Sequence, residues 1–523
     1  MDEPSEPTQD GDASSPTSSD LPTVIIIAPK GDVLLEVTFE TSKSTLKATR
    51  KALPKPRPGQ RDPPPPQPLL KPQIHLAYRV DLATLKKHSK YFTNLLGDTR
   101  FQEARTIESR FRDLTLRGEK PSDLDAEHLP RVEITDDDEA TRSAGREDVF
   151  RDMLRVLHGG GIVTRPVTML YVATLAVMAD RFACTPAVSR YLGTGLKFKW
   201  PATPSPKPSG EVEGMTSLSH GAEEILRQKI LVSWLLDQPV RFQAATKELV
   251  LFGSHRWSAG GAEEDEEDED AETDAATGSR QEALWWYLPD ELEEELHSRR
   301  ALILRTLASI LSHFLRVYSS RTRQCKLGYD SSSACDSFQL GEMVKFLTSK
   351  NLLFLVNFSP SVPDARVKDF AAVDVGSIIS TLKQTPSYQI DKHHTHCGLR
   401  SRILPILEYV QAMLSSNAVP LNLQGWKKDS KATTWQRPSS AEGDGTHRRK
   451  DFDTGKAGKD KSRVFRFTRA VATDQRLRYE GAMAADSMAK QLFLAEEWDW
   501  APEEDAGPGA SLGREFATTK WLR

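Results

Sequence analysis

Two short apolar, β-branched runs open the patterned part of the chain, residues 24–27 and 33–37, separated by a Pro-Lys-Gly-Asp turn. Their composition and spacing predict paired strands. A third run at 74–80 continues the strand pattern. Leu82, Leu85, His88, Phe92, Leu95 and Leu96 then recur mostly at intervals of three and four, which predicts an amphipathic helical pair. After a polar stretch, residues 132–135 form a short strand pattern. Val149, Phe150, Met153, Leu154, Val156 and Leu157 mark a helix that Gly159, Gly160 and Gly161 bring to an end. Residues 167–184 predict a strongly apolar helix, and 186–196 a shorter one that opens with Pro186 in its first turn.

Beyond residue 220 the pattern becomes wholly helical. Ile225, Leu226, Ile230, Leu231, Trp234 and Leu235 form one stripe, and further helices are predicted at 284–318, 340–355, 373–382 and 397–414. The stripes at 225–235 and 302–315 read as core. From 426 onward polar residues dominate, leaving room for one helix at 474–498.

Other segments break the periodicity. Residues 43–72 are rich in proline, which lacks an amide donor, and carry mostly positive charge, so they cannot continue a sheet and must loop out. The run 261–278 is almost continuously acidic and self-repelling, which predicts a solvated loop. The expected organisation is a disordered tail at 1–22, an α/β domain at 23–196 with the insertion 43–72, and a linker at 197–220. A helical domain follows at 221–425 with a disordered acidic loop at 258–282, and then a mostly disordered basic tail at 426–523. The fold class expected is α+β.

Composition narrows the compartment. The N-terminus lacks the charged start and apolar stretch of a secretory signal. The longest nearly apolar run, 167–179, is shorter than the roughly 20 residues a bilayer requires. Four cysteines in 523 residues suit a reducing compartment, so nucleus or cytoplasm is expected, with no membrane association. A formal net charge of -4 gives no whole-protein preference for nucleic acid.

The element order resembles the BTB/POZ domain, and particular residues carry the resemblance. Gly31-Asp32-Val33 is similar to that family's opening strand. Residues 78–92, with Tyr78, Val80, Leu85 and Ser89-Lys90-Tyr91-Phe92, resemble its aromatic-x-Val strand and the helix after it. Asp81 stands where the family commonly has His, and Lys90 where it commonly has Pro. Residues 149–158 and 175–182, the latter Leu-Ala-Val-Met-Ala-Asp-Arg-Phe, resemble its later helices. The likeness covers 23 to about 196. With the helical region behind it, including residues 323–330 and 396–400, the chain resembles divergent BTB-like proteins of filamentous fungi. The resemblance implies a scaffold or adaptor that binds proteins and is not an enzyme. Homo-association is one mode it implies, although residues 1–22 offer neither the helix nor the strand that some such dimers add.

Phe101-Gln102-Glu103 resembles the hydrophobic-x-Glu motif by which some BTB domains dock a cullin scaffold of ubiquitin ligases; the other reading is a loop cap. His158 with its three glycines matches a lipase oxyanion motif. The sole Gly-x-Ser-x-Gly, at 509–513, has no strand before it, so the glycines read as a helix stop. No phosphate-binding glycine loop is present.

Cys325, Cys335, His394, His396 and Cys397 supply the donors of a tetrahedral zinc site, although the spacing fits no standard finger and no cofactor is expected. The alternative is a buried thiol beside surface histidines. Arg448, Arg449, Lys450, Lys459, Lys461 and Arg463 resemble a bipartite nuclear-import signal. Residues 54–68 offer either a polyproline II face or an extruded loop. Trp498 and Trp500 suggest a docking motif. Phe465 and Phe467, alternating with Arg463, Arg466 and Arg469, suggest base stacking by a nuclear regulator, with nucleic acid the weaker of the partner classes.

Overall fold

The computed structural model describes residues 22–52, 70–208, 215–258, 283–325, 327–356, 371–395, 397–436, 464–479 and 483–501. The acidic run, the polyproline segment and the import-like basic cluster lie outside them. The chain is broadly α+β and divides into two compact units, Met1–Val167 with Thr174–Phe198, and Thr168–Ala173 with Lys199–Arg523.

The first unit is built on a mixed sheet of β1 (Thr23–Ile26), β2 (Val33–Glu40), β3 (Gln73–Val80) and β4 (Arg131–Asp136), in the order β1-β3-β2-β4. Strands β2 and β3 pair antiparallel, with Val33 opposite Val80 and Glu40 opposite Gln73. Strand β4 lies parallel to β2, and β1 parallel to β3. Strand β4 alternates strictly between exposed and buried positions, the signature of a sheet with one covered face. A Cβ at Gly31 would meet the Val80 carbonyl oxygen at 2.7 Å, so this crossing requires glycine.

Among the described residues, seven helices belong with or adjoin the sheet: α1 (Lys43–Ala52), α2 (Leu82–His88), α3 (Lys90–Gly97), α4 (Gln102–Arg117), α5 (Arg146–Leu157), α6 (Met169–Arg181) and α7 (Thr185–Arg190). The expected helical pair is α2–α3, and Ser89 forms the joint between them. Its hydroxyl accepts from the Phe92 amide at 3.1 Å and donates to the Phe182 carbonyl at 2.6 Å, while Asp81 caps α2 by accepting from the Thr84 amide at 2.7 Å. Ser89→Ala is therefore expected to cost about 1–2 kcal/mol, read as weaker hydrogen-exchange protection of the α2–α3 amides; unchanged protection would refute it. Phe92 stacks on Phe182, and Phe39 and Tyr78 meet Phe150 with ring centroids 5.6 and 5.3 Å apart, which makes an aromatic core. Arg146 lies buried, held by Asp136 at 2.9 Å and the Glu40 carbonyl at 2.7 Å.

Two expectations for this unit are corrected. The insertion does not loop out at once, because 43–52 contain neither proline nor glycine and wind into α1, burying Thr45 and Leu46. The polar stretch after the helical pair holds α4, sixteen residues that bury only Ala104, Ile107 and Leu114.

The second unit is almost entirely helical: α8 (His220–Leu235), α9 (Pro239–Phe252), α10 (His255–Ser258), α11 (Leu292–Ser319), α12 (Ser332–Ser349), α13 (Val375–Leu382), α14 (Leu399–Leu414), α15 (Leu423–Lys428), α16 (Ser430–Thr433), α17 (Arg469–Thr473) and α18 (Met483–Phe493). Short strand pairs β5 (Lys207–Pro208) with β6 (Thr216–Ser217), and β7 (Val464–Arg466) with β8 (Glu497–Asp499), complete it. By length and composition α11 is apolar enough to cross a membrane. It carries Glu295, Arg299 and Arg300 buried and hydrogen-bonded inside the protein core, which is the pattern of a central core helix.

The expected linker and tail are corrected here. Met215 and Leu218 are buried in the core, and Lys229 donates to Thr203 at 2.7 Å, so much of 197–220 is built into the unit. Past residue 426, Trp426, Trp435, Phe465, Phe467, Leu492, Phe493 and Trp500 all join one apolar cluster with α11 and α14. The helix expected at 474–498 is shorter, α18, and β8 follows it.

Candidate functional site

The loop after α11, the first turn of α12 and the turn before α14 bring four of the five sequence-nominated donors together. Cys325, Cys335 and His394 are buried, with ligating atoms within 4.8 Å of one another. The Cys397 sulfur lies 3.8 Å from that of Cys325 across 72 positions of sequence. His396 lies outside the described residues. Three of the chain's four cysteines thus converge with one imidazole, whereas Cys184 is buried in the first unit.

Local contacts fix each donor. Asp336, in the first turns of α12, accepts from the Gln324 and Cys325 amides at 2.7 and 3.2 Å and so pins the loop that carries Cys325. Asp391 accepts from the His393 amide at 2.8 Å and holds His394 Nδ1 at 2.7 Å, so that Nε2 faces the Ser332 hydroxyl at 3.4 Å. Tyr329 lies against the His393 ring, with centroids 4.7 Å apart. The Tyr318 hydroxyl donates to the Cys397 carbonyl at 3.4 Å and ties the end of α11 to the same turn.

The thiols influence one another. Burial pushes Cys397 up to about 11, reinforced by the charge of Cys325. Burial also raises Cys335, with both neighbouring thiols adding to the effect. At Cys325 burial acts in the same direction, but hydrogen bonds from Ser332, the Leu327 backbone and the two thiols outweigh it and hold this sulfur below its ordinary value. The hydrogen bond to Asp391 raises His394 against the opposing effect of burial. The cluster thus favours the thiolate at Cys325 and disfavours it at Cys335 and Cys397. Asp391 was not singled out in the sequence, although its i, i+3 relation to His394 was the signal available. Ser332 and Asp336 carried no signal at all.

The other nominated residues scatter. Phe101 forms the N-terminal boundary of α4 and is 43% exposed, Gln102 is exposed and Glu103 half-buried. Arg105 holds the turn before them by donating to the Thr99 and Arg100 carbonyls at 2.8 and 2.9 Å. His158 ends α5: its Nδ1 donates to the Leu154 carbonyl at 2.8 Å, its Nε2 accepts from the Asp81 amide at 3.1 Å, and Gly159 has a φ of 77°, a left-handed cap. The helix-stop reading of the glycines therefore stands. Phe465 and Phe467 are 4% and 2% exposed, so the base-stacking role read into them is overturned. Trp500 is buried with its indole donating to Ser309 at 3.0 Å, and half-buried Trp498 donates to the Leu492 carbonyl at 2.9 Å, so neither is a free docking motif. Arg448, Arg449, Lys450, Lys459, Lys461 and Arg463 lie outside the described residues. No protein-family model, curated protein or solved structure matches the chain.

Proposed function

We propose that the chain is a protein-protein interaction adaptor whose first unit is a BTB/POZ-like docking module, working in the nucleus or cytoplasm. The observation that supports this most is topological: an antiparallel β2–β3 pair, the α2–α3 hairpin, then β4 returning parallel to β2, then further helices. This arrangement supports the reading, although α1 and α4 stand between its elements. The surface offers apolar groups suited to a partner: Leu116 on α4 is 82% exposed, and the edge strand β1 carries exposed Val24 and Ile26. Affinity purification of the full chain, with the partners identified, tests the reading. Recovery of a reproducible protein partner that is lost on replacing Phe101 and Leu116 with alanine is the expected result, and the same recovered set for both forms removes this face from the proposal.

A second reading, substrate adaptor of a cullin-based ubiquitin ligase, is favoured by Phe101, an apolar side chain held outward at the start of α4 with Glu103 two residues on. An apolar anchor entering a pocket contributes about 2 kcal/mol. Phe101→Ala/Glu103→Ala should therefore weaken binding to purified cullin roughly 30-fold with unchanged thermal stability. Equal binding by both forms, or none by the wild type, eliminates cullin docking.

A further inference from the structure

We propose that Cys325, Cys335, Cys397 and His394 Nε2 form a structural zinc site that locks the end of α11 to the starts of α12 and α14. Three buried donors of the types zinc prefers lie together, and half-buried Cys397 brings its sulfur beside that of Cys325, the four drawn from two sequence segments. Zinc–sulfur bonds of about 2.3 Å in a tetrahedron separate neighbouring sulfurs by about 3.8 Å, and the Cys325 and Cys397 sulfurs stand 3.8 Å apart. A disulfide would need a separation of about 2.0 Å. The ligating atoms of Cys325, Cys335 and His394 all lie within 4.8 Å of one another.

The surroundings resemble the outer layer of a metal site. A ligating histidine needs its second nitrogen held so that the first points at the ion, and the Asp391 carboxylate on Nδ1 supplies this arrangement. Asp391 is itself fixed by the Ser331 hydroxyl and the His393 amide. Cys335 lies in the first turn of the eighteen-residue α12, where the helix dipole favours a thiolate. With three thiolates and a neutral imidazole, binding Zn²⁺ releases the thiol protons to solvent and leaves one net negative charge. Four protein donors fill a tetrahedron and leave no position for water or substrate, so the role is structural.

The test uses the full chain, purified without chelator, with zinc measured by elemental analysis beside total protein. About one zinc per chain is expected, falling at least tenfold in Cys325→Ser, Cys335→Ser and Cys397→Ser and unchanged in Cys184→Ser. Asp391→Asn should keep the site but weaken its zinc affinity roughly 10–100-fold, which distinguishes a positioning residue from a ligand. Should the cysteine variants fail to fold, a mercurial titration of the wild type with a zinc-sensitive dye decides: zinc released in step with thiol modification supports the site. A wild type that holds no zinc and takes up neither zinc nor cobalt after reduction overturns the proposal. So does zinc that persists in both Cys325→Ser and Cys335→Ser, or that stays bound once every thiol is modified.

Discussion

Replacing Arg227 with methionine is expected to destabilise the second unit by about 3–5 kcal/mol, because it leaves buried carboxylates without their counter-charge. Arg227 is fully buried on α8 and meets Glu223 at 2.9 Å and Glu293 at 2.7 Å, while also donating to the Trp286 carbonyl at 3.0 Å and to Ser254 at 2.7 Å. Glu223, itself at 0% exposure, takes further hydrogen bonds from the Ser254 hydroxyl and the His255 amide. The network therefore closes on itself, and removing Arg227 leaves both carboxylates without their directly paired cation. All ten tryptophans lie at position 200 or beyond, so tryptophan fluorescence during urea unfolding reports the second unit alone.

The pH dependence gives a second readout. Burial pushes the Glu293 carboxyl up, but hydrogen bonding and charge from Arg227, with Arg256 and Trp257 assisting, outweigh it and hold the group below its ordinary range. A carboxyl lowered in the folded state contributes stability above its unfolded pKa, and that contribution fades as pH falls through the lowered folded value. The gap between wild type and Arg227→Met should therefore be widest near neutrality and narrow on acidification. A gap that is small at neutral pH, or that grows with acid, would show that Arg227 does not compensate these carboxylates. Simultaneous replacement of Arg227, Glu223 and Glu293 by apolar residues of similar volume should recover most of the loss.

What the sequence revealed followed from periodicity. Strands β2, β3 and β4 and helices α2, α3, α5, α11 and α14 are carried by repeating apolar positions, and each lies close to where that pattern put it. Helix α4 was hidden because it buries three residues in sixteen and shows almost no stripe. The donor cluster was half legible: the residue types were visible, but their meeting depends on how α12 and α14 pack, which no local spacing encodes. Buried arginines were missed for a related reason. Arg227, Arg299 and Arg300 look like solvated charges on amphipathic helices; Glu223 is a local i, i+4 partner of Arg227, but Glu293, the Ala418, Val419 and Pro420 carbonyls, and the Val250 and Leu251 carbonyls are brought to them by tertiary structure. The C-terminal region misled in the opposite direction. Its anchors are isolated aromatics in a polar background, so mean composition suggests no core where single large side chains supply one.

That last difference makes the C-terminal region the sharper test. Trp500 is 2% exposed, lies with its ring centroid 5.9 Å from Phe465 and 6.1 Å from Phe467, and donates its indole N–H to Ser309 on α11. Trp500→Ala opens a cavity against the central helix and strands the Ser309 hydroxyl's partner position, at an expected cost of about 3–5 kcal/mol. Ending the chain after residue 463 should do more. It removes Phe465, Phe467, Leu477, Leu492, Phe493 and Trp500 together and uncovers apolar surface on α11 and α14, so the second unit should lose its cooperative urea transition or become insoluble. A solvated tail would give the contrary result, because both changes would then leave the fluorescence midpoint where it was. Tyr409 adds an internal check. Its ring lies 6.1 Å from Phe465 and 5.5 Å from Phe467, so burial by these residues, which pushes its hydroxyl well above the ordinary tyrosine value, should relax in the truncated chain. Compared with full-length Tyr479→Phe, which matches the truncated chain in lacking Tyr479, alkaline titration of tyrosine absorbance would then gain one group ionising in the ordinary range, and no gain would mean that residues 464–501 do not cover Tyr409.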